Sequence, residues 1–242
     1  MLQALESAAF SAWPAQHSVD VQGWLLRLDR GYTKRANSAN ATTQSRALPA
    51  DDVEAIELRF RESGLVPTFR LTSFAPIEDS DRLLESRGYR RCDASMVMTR
   101  SLAGVADADE AALAPDAAAW LDAFRHASGK RDADQAVHLE ILRRIAAPCA
   151  WAVHSEAAPS LTCGLGVLVD DKLGLFDIAT RQDHQRRGLA RQLCEGLLAW
   201  GVRHGGQTAF LQVVAANAPA IRLYEQLGFE TAYRYWYRVS SA

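Results

Sequence analysis

The sequence is short of several things, and each shortage narrows its chemistry. It has four cysteines, Cys92, Cys149, Cys163 and Cys194. They are widely spaced, form no CxxC, and do not converge with histidine at a zinc-finger spacing. A core of this size needs no disulfide framework, so reduced, mostly buried thiols of a cytoplasmic protein are expected. A basic excess is also missing. Lys plus Arg is 27 against 29 Asp plus Glu, a formal charge of −2. Residues 1–100 carry 13 basic and 13 acidic groups, so neither part is biased. A chain that lives on phosphate contacts usually shows a basic surplus, so no nucleic-acid partner is expected. No window approaches 18 uninterrupted apolar residues, so no membrane span is expected. The opening MLQALESAAFSAWPAQHSVD has no basic lead, and Glu6 interrupts its apolar run, which makes a poor signal peptide. His154, His184 and His204 show no paired ligand spacing, so no catalytic metal is expected.

What is present is an ordinary globular composition. The chain has 242 residues, 48% hydrophobic and 23% charged, enough for one large domain or two small ones. The clearest shift falls at SLAGVADADEAALAPDAAA, residues 101–119, which suggests a linker near 102–114. Pro115 then suits the first turn of a helix running to His126. Asp132 suits the cap of a helix to Ala146, with Val137, Ile141, Leu142 and Ile145 as its apolar stripe. Three short strands follow at 149–155, 161–169 and 173–180, an antiparallel meander around the turn Asp170-Asp171. A helix is expected over 189–203, with Leu189, Leu193, Leu197 and Trp200 on one face. A strand at 208–214, a helix at 218–227 and a last strand at 231–239 complete this part.

The first part is a shorter version of that ending. A hairpin of 24–28 and 32–39 around Asp29-Arg30-Gly31 is expected, then a helix over 51–62 and an extended segment over 67–73. Leu83–Arg90, LLESRGYR, lies in register with Leu223–Glu230, LYEQLGFE. Both read as helix ends closed by a left-handed glycine and an aromatic residue, each feeding a strand. The expected division is 1–105 and 106–242.

Chemistry concentrates in the second part. Gln185-Arg186-Arg187-Gly188-Leu189-Ala190 sits between a strand and a helix, where backbone N–H groups can face a phosphate. Gly188 permits close approach, since a Cβ there would intrude on the ligand. The turn is neither GxGxxG nor GxxxxGK[ST], so the two best-known nucleotide readings fail. Arg181, Arg186, Arg187 and Arg191, offset by Asp183, give the stretch a local charge of +3. By itself it reads either as a phosphate site or as a solvated basic turn. Further on, Asn217 precedes a helix that carries Tyr224 and closes with Leu227-Gly228-Phe229.

These two motifs, in this order and separated by a strand, resemble the GCN5-related N-acetyltransferase superfamily. The resemblance is strongest over about 150–240. It implies an α+β acyl-CoA N-acyltransferase fold, a central mixed sheet flanked by helices, here beside a reduced, related N-terminal lobe. It implies acetyl-CoA as cosubstrate. The strand at 173–180 would splay from its parallel neighbour at 208–214. The pantetheine arm would pair with backbone near Ile178, Ala179 and Thr180, and the pyrophosphate would rest on Gln185, Arg186, Arg187, Gly188, Leu189 and Ala190. Asn217 would cap its helix or bond a ligand amide. Tyr224 would protonate the leaving thiolate, or would merely pack in the cleft. Asp177 is the nearest candidate base, its direction depending on register or on a bulge. Tyr233, Tyr235 and Tyr237 alternate on one face of the last strand, opposite Trp236, and either line an acceptor pocket or pack a sheet.

The position equivalent to Tyr224 in the first lobe is Leu84, which has no transferable proton, so one competent site is expected. Tyr32, Arg35, Asn37 and Asn40 reach the acceptor, satisfy loop backbone or face solvent. The acceptor is expected to be a small polar amine, with a peptide or protein amine as the alternative and a noncatalytic acyl-CoA-binding module as a third reading. The chain is expected to be a monomer or homodimer.

Overall fold

The computed structural model describes residues 2–42, 47–75, 77–105, 109, 111–129, 135–154 and 160–241. Its first elements are α1 (Leu2–Ala12), β1 (His17–Val21), β2 (Trp24–Leu28), β3 (Ser38–Ala41), α2 (Ala50–Glu62), β4 (Thr68–Thr72), α3 (Glu78–Ser86) and β5 (Arg90–Ser101). There follow β6 (Ala112–Leu113), α4 (Ala117–Ser128), α5 (Gln135–Arg143), β7 (Cys149–Val153), β8 (Thr162–Val169) and β9 (Lys172–Thr180). The last are α6 (Leu189–Arg203), β10 (Thr208–Val214), α7 (Ala218–Gln226) and β11 (Glu230–Val239). No helix of the described residues is long and apolar enough to cross a membrane. All four cysteines are free thiols, with Cys163 and Cys194 buried.

The chain forms two compact units that interleave. One holds residues 1–12, 98–212 and 219–230; the other holds 13–97, 213–218 and 231–242. The division expected at 105/106 followed chain order. Instead β11 joins the earlier segment, because it pairs antiparallel with β4 from Tyr235↔Thr72 to Val239↔Thr68.

In the unit holding 13–97 the strand order is β1-β2-β3-β4-β11-β5. Trp24, Leu26, Ala39, Phe69 and Leu71 pack against Ile56 and Phe60 of α2 and Leu84 of α3. The hairpin expected around 29–31 is a correction. β2 does pair with β3, from Trp24↔Ala41 to Arg27↔Ser38, but Tyr32–Ala36 is not strand. A 3-10 turn at Lys34–Ala36 fills the connection. Asn37 holds it: its Oδ1 accepts from the Asp29 and Gly31 N–H groups at 2.8 and 3.2 Å, and its Nδ2 donates to the Thr33 carbonyl. Asn40 likewise donates to the Leu25 and Ser38 carbonyls. The tight hairpin lies one element earlier, where β1 and β2 meet through Gln22-Gly23, both at positive φ.

The two expected helix ends share one hydrogen-bond pattern. After α3, Gly88 N–H donates to Glu85 O at 2.9 Å and Tyr89 N–H to Leu84 O at 3.0 Å. After α7, Gly228 N–H donates to Glu225 O at 2.9 Å and Phe229 N–H to Tyr224 O at 3.0 Å. Gly88 and Gly228 have φ of 83° and 82°, the left-handed value the turn requires.

In the other unit the strand order is β10-β9-β8-β7-β6. β7, β8 and β9 run antiparallel, and β10 runs parallel to β9, so this sheet is mixed. Helices cover both faces. Cβ atoms built on Gly164 and Gly166 would meet Leu193 and Leu197 of α6. Trp151, next to Ala150, faces the opposite way and meets Trp120 of α4 at 5.8 Å between ring centroids.

Three boundaries differ from expectation. α4 starts after Asp116, whose carboxylate accepts from the Ala118 and Ala119 N–H groups at 2.9 Å, so Pro115 precedes the cap. α5 ends at Arg143, before Ile145, and Asp132 lies outside the described residues. Within the segment expected as linker, Ala112–Leu113 forms β6, paired with β7.

Candidate active site

The site begins with a strand that loses a neighbour. The parallel ladder pairs Lys172–Leu175 with Thr208–Leu211 and stops there. From Asp177 to Thr180, among the described residues, the ladder continues with β8 and not with β10. The cause is local. Cys163 opposes Ala179 while Leu165 opposes Phe176, so Asp177 and Ile178 together face Gly164. This is a β-bulge, and Asp177 takes a φ of 47° within it. A bulge sharpens the twist and bends its strand, here at the point where β10 is left behind. Gly164 lies opposite it, and a Cβ there would stand 2.3 Å from Ile178 Cδ1, so the end of that side chain would have to shift.

Beyond Thr180 the chain turns into α6. A 3-10 turn at Gln182–His184 leads to Arg186 and Gly188, both left-handed at φ 61° and 83°. Gln185 Nε2 donates to the Thr180 carbonyl, tying the turn to the strand end. The first helical bond of α6 closes from Gln192 N–H to Gly188 O, so the amides just before it are the donors that a helix start leaves without an intrahelical acceptor. The space over Gly188 is open: an added Cβ would meet nothing within 4 Å. The basic count needs revision here. Arg181 forks onto Asp183 at 2.7 and 2.9 Å, and Arg191 pairs with Glu195 at 2.9 Å. Arg181 and His184 hold the Asp183 carboxyl well below the usual range. With Glu195 also counted the local charge is +2, carried by Arg186 and Arg187, and it acts beside the backbone N–H groups and the helix dipole.

Asp177 is partly buried on the face of β9 toward α4 and α5. His138 Nε2, on α5, lies 3.2 Å from its Oδ2. The approach is off the line of a well-formed hydrogen bond. His138 is 1% exposed and is boxed by Phe124 and Trp120, edge to face at 5.5 and 6.2 Å. Trp120 Nε1 also donates to the carbonyl of Gly164, opposite the bulge, at 3.0 Å.

Tyr224 lies on α7 and is buried. Burial first, then the neighbouring Cys194 of α6, pushes its phenol above the ordinary range, so it stays protonated. Burial likewise pushes the Cys194 thiol up to about 12. Asn217 is exposed just before α7, its N–H donating to Val214 O at 2.8 Å. Tyr233, Tyr235 and Tyr237 are buried on one side of β11, while Trp236 packs against the core formed with α2 and α3.

Of the residues expected in the site, Ile178–Thr180 and 185–190 form one continuous run from the unpaired strand edge to the start of α6. Of the residues read as acceptor or backbone contacts, Asn37 satisfies loop backbone and Asn40 the backbone of β2 and β3. His138 escaped the sequence reading. Its sole trace there is its position three and four residues before Ile141 and Leu142, which reads as the edge of an apolar stripe. Among the described residues no group of three His, Cys, Asp or Glu side chains converges as a metal site.

Known proteins agree with this architecture. A Bacillus subtilis (strain 168) protein named as an uncharacterized N-acetyltransferase, YobR, is 28% identical over 248 residues, covering 98% of both chains. The [ribosomal protein bS18]-alanine N-acetyltransferase of Escherichia coli (strain K12) is 48% identical over 65 residues, 27% of this chain and 44% of that protein. A GCN5-related N-acetyltransferase from Kribbella flavida superposes over 99% of this chain and 95% of its own, with a TM-score of 0.71 at 14% identity, which speaks to the fold. The family model described as "Probable histone acetyltransferase Rv0428c C-terminal" matches residues 1–238. With nearly its whole length matched and the fold shared, the chain belongs to that family, within the GCN5-related N-acetyltransferases, and is an enzyme of the N-acetyltransferase type.

Proposed function

We propose that the chain transfers an acetyl group from acetyl-CoA to a primary amine by direct attack. The observation that carries this reading is the edge of Ile178–Thr180, beyond the last β9–β10 pair, running into a helix start with open space over Gly188. An extended pantetheine arm fits such an edge as an added strand, bonding the backbone of Ile178, Ala179 and Thr180. The pyrophosphate suits the N–H groups of Arg186 to Ala190, with Gln185 bracing the turn. Asn217 suits a cap on α7 or a bond to a ligand amide.

The chemistry needs a neutral amine. Its nitrogen forms a bond to the thioester carbonyl carbon and gives up a proton, which Asp177 accepts. The C–S bond then breaks, and the thiolate takes the proton of Tyr224. Cys163 does not compete as a base: burial, and next the charge of Asp177, push its thiol up. The unit holding 13–97, with Leu84 where α7 carries Tyr224 and with the same helix-end pattern, is read as a reduced lobe without its own activity.

The acceptor we propose is a small polar amine, which a half-buried Asp177 carboxylate attracts as a cation. One support for a small acceptor is withdrawn, since Asn37 serves its own loop and Asn40 bonds the backbone of β2 and β3. A second reading, a peptide N-terminus, is favoured by the 48% identity to an enzyme named for acetylating a ribosomal-protein alanine. Acetyl-CoA consumption over a panel of small amines and short peptides, with product mass recorded, decides between them. Selective turnover of peptide N-termini would reject the small acceptor. Acetyl-CoA binding with no product from any amine would reject catalysis.

A further inference from the structure

We infer that His138 is a positioning residue, holding the Asp177 carboxylate through Nε2 in the attitude from which it accepts the proton of the attacking amine; this rests on the acetyltransferase reading above. Asp177 sits at a φ of 47°, a left-handed value that a non-glycine residue keeps only when its surroundings fix it. Two neighbours supply that fixing. Trp120 holds the opposed strand through the Gly164 carbonyl, and His138 meets the carboxylate itself at 3.2 Å.

The imidazole is in turn immobilised. It is 1% exposed and wedged at right angles to the rings of Phe124 and Trp120. A ring so confined presents Nε2 in one direction, and a carboxylate there selects the tautomer with its proton on Nε2. The arrangement follows the base-and-orienter geometry of activated sites, with the roles of histidine and carboxylate exchanged. The proton count closes without His138: the amine proton ends on Asp177, the Tyr224 proton ends on the thiolate, and His138 keeps its own proton on Nε2 throughout. Around the pair, α4 supplies Trp120 and Phe124, which do not titrate, and β8 supplies Cys163, which stays a thiol.

The test uses the full chain. His138→Phe keeps an aromatic ring in the box and removes Nε2; His138→Gln keeps an N–H donor at nearly the same reach. Near-UV circular dichroism checks that both fold. We expect His138→Phe to lower kcat about tenfold or more while acetyl-CoA affinity stays within about twofold, and His138→Gln to recover most of the rate. In an Asp177→Asn background, His138→Phe should cost nothing further, because its effect passes through Asp177. An equal loss in both backgrounds, or no recovery with Gln, overturns the inference. A substrate-free measurement stands apart from activity: the ¹⁵N resonance of His138 Nε2 should move on Asp177→Asn. An unmoved resonance overturns the pair itself. A wild-type chain that turns over no amine would overturn the acetyltransferase reading, and with it the proton-transfer role, while that resonance still reports whether the pair exists.

Discussion

Replacing Gly188 by alanine separates the folding cost of the turn before α6 from its ligand cost. Gly188 has a φ of 83°, so alanine there must take a left-handed conformation. That costs about 1–2 kcal/mol for a residue with a Cβ. No packing penalty adds to it, because the new Cβ meets nothing within 4 Å. At about 2–4 °C per kcal/mol for a chain of this size, the melting temperature should fall by only a few degrees. Binding should respond differently. The open space over Gly188 is where the proposed pyrophosphate approaches the backbone, and the methyl group would stand in it. Acetyl-CoA affinity should fall at least about tenfold, or about 1.4 kcal/mol beyond the folding cost. Gly164→Ala is the converse control. Its Cβ would lie 2.3 Å from Ile178 Cδ1 and 3.0 Å from Leu193 Cδ2. Overpacking of that kind costs about 1–3 kcal/mol, so this change should act first on folding. Isothermal titration with acetyl-CoA and a thermal melt on each variant provide both readouts. Affinity for Gly188→Ala within about twofold of wild type, with the expected small drop in melting temperature, would refute the placement of the ligand.

Two further outcomes follow. Tyr224→Phe should retain acetyl-CoA binding and lose about 10²–10⁴-fold in kcat; equal rates at saturation would remove Tyr224 from the rate-limiting proton transfer. In the unit holding 13–97, Arg238 forks onto Asp81 at 2.8 and 3.0 Å, and Trp236 Nε1 donates to the same carboxylate at 2.8 Å. Burial raises the Asp81 pKa, but these bonds and the charges of Arg238 and Arg91 outweigh it and hold the carboxyl below its usual range. A depressed folded value means stability present above the unfolded value of about 4 and lost as pH falls through the folded one. Chemical denaturation should therefore show wild type losing stability below about pH 4, with Asp81→Asn lacking that component and less stable at pH 7 by about 2 kcal/mol.

How much of this was legible depends on how local each signal is. α6 runs from Leu189 to Arg203, as its 3–4 residue spacing and the following Gly205-Gly206 indicate. β9 and β10 are likewise carried by apolar runs, and Gly228 closes α7 as Gly205 closes α6. β1, HSVDV, is exposed along almost all its length, so no buried alternation marks it. Asp29-Arg30-Gly31 has hairpin composition, but Asn37 wraps that segment with three hydrogen bonds to backbone and lengthens the connection. The interleaving of units rests on β11 finding β4 more than 150 residues away, which no local pattern encodes. Asp177 was named from position alone. Its partner His138 was invisible, because only the bulge and the packing of α5 bring them together.

The most direct test of the central claim is amide hydrogen exchange of the full chain with and without acetyl-CoA. New protection is expected at Ile178–Thr180 and Arg186–Ala190, the backbone groups proposed to meet pantetheine and pyrophosphate, with little change at the α3 helix end of the other unit. Saturating acetyl-CoA that leaves both stretches exchanging as before, or that protects the segment around Leu84 in their place, would contradict it.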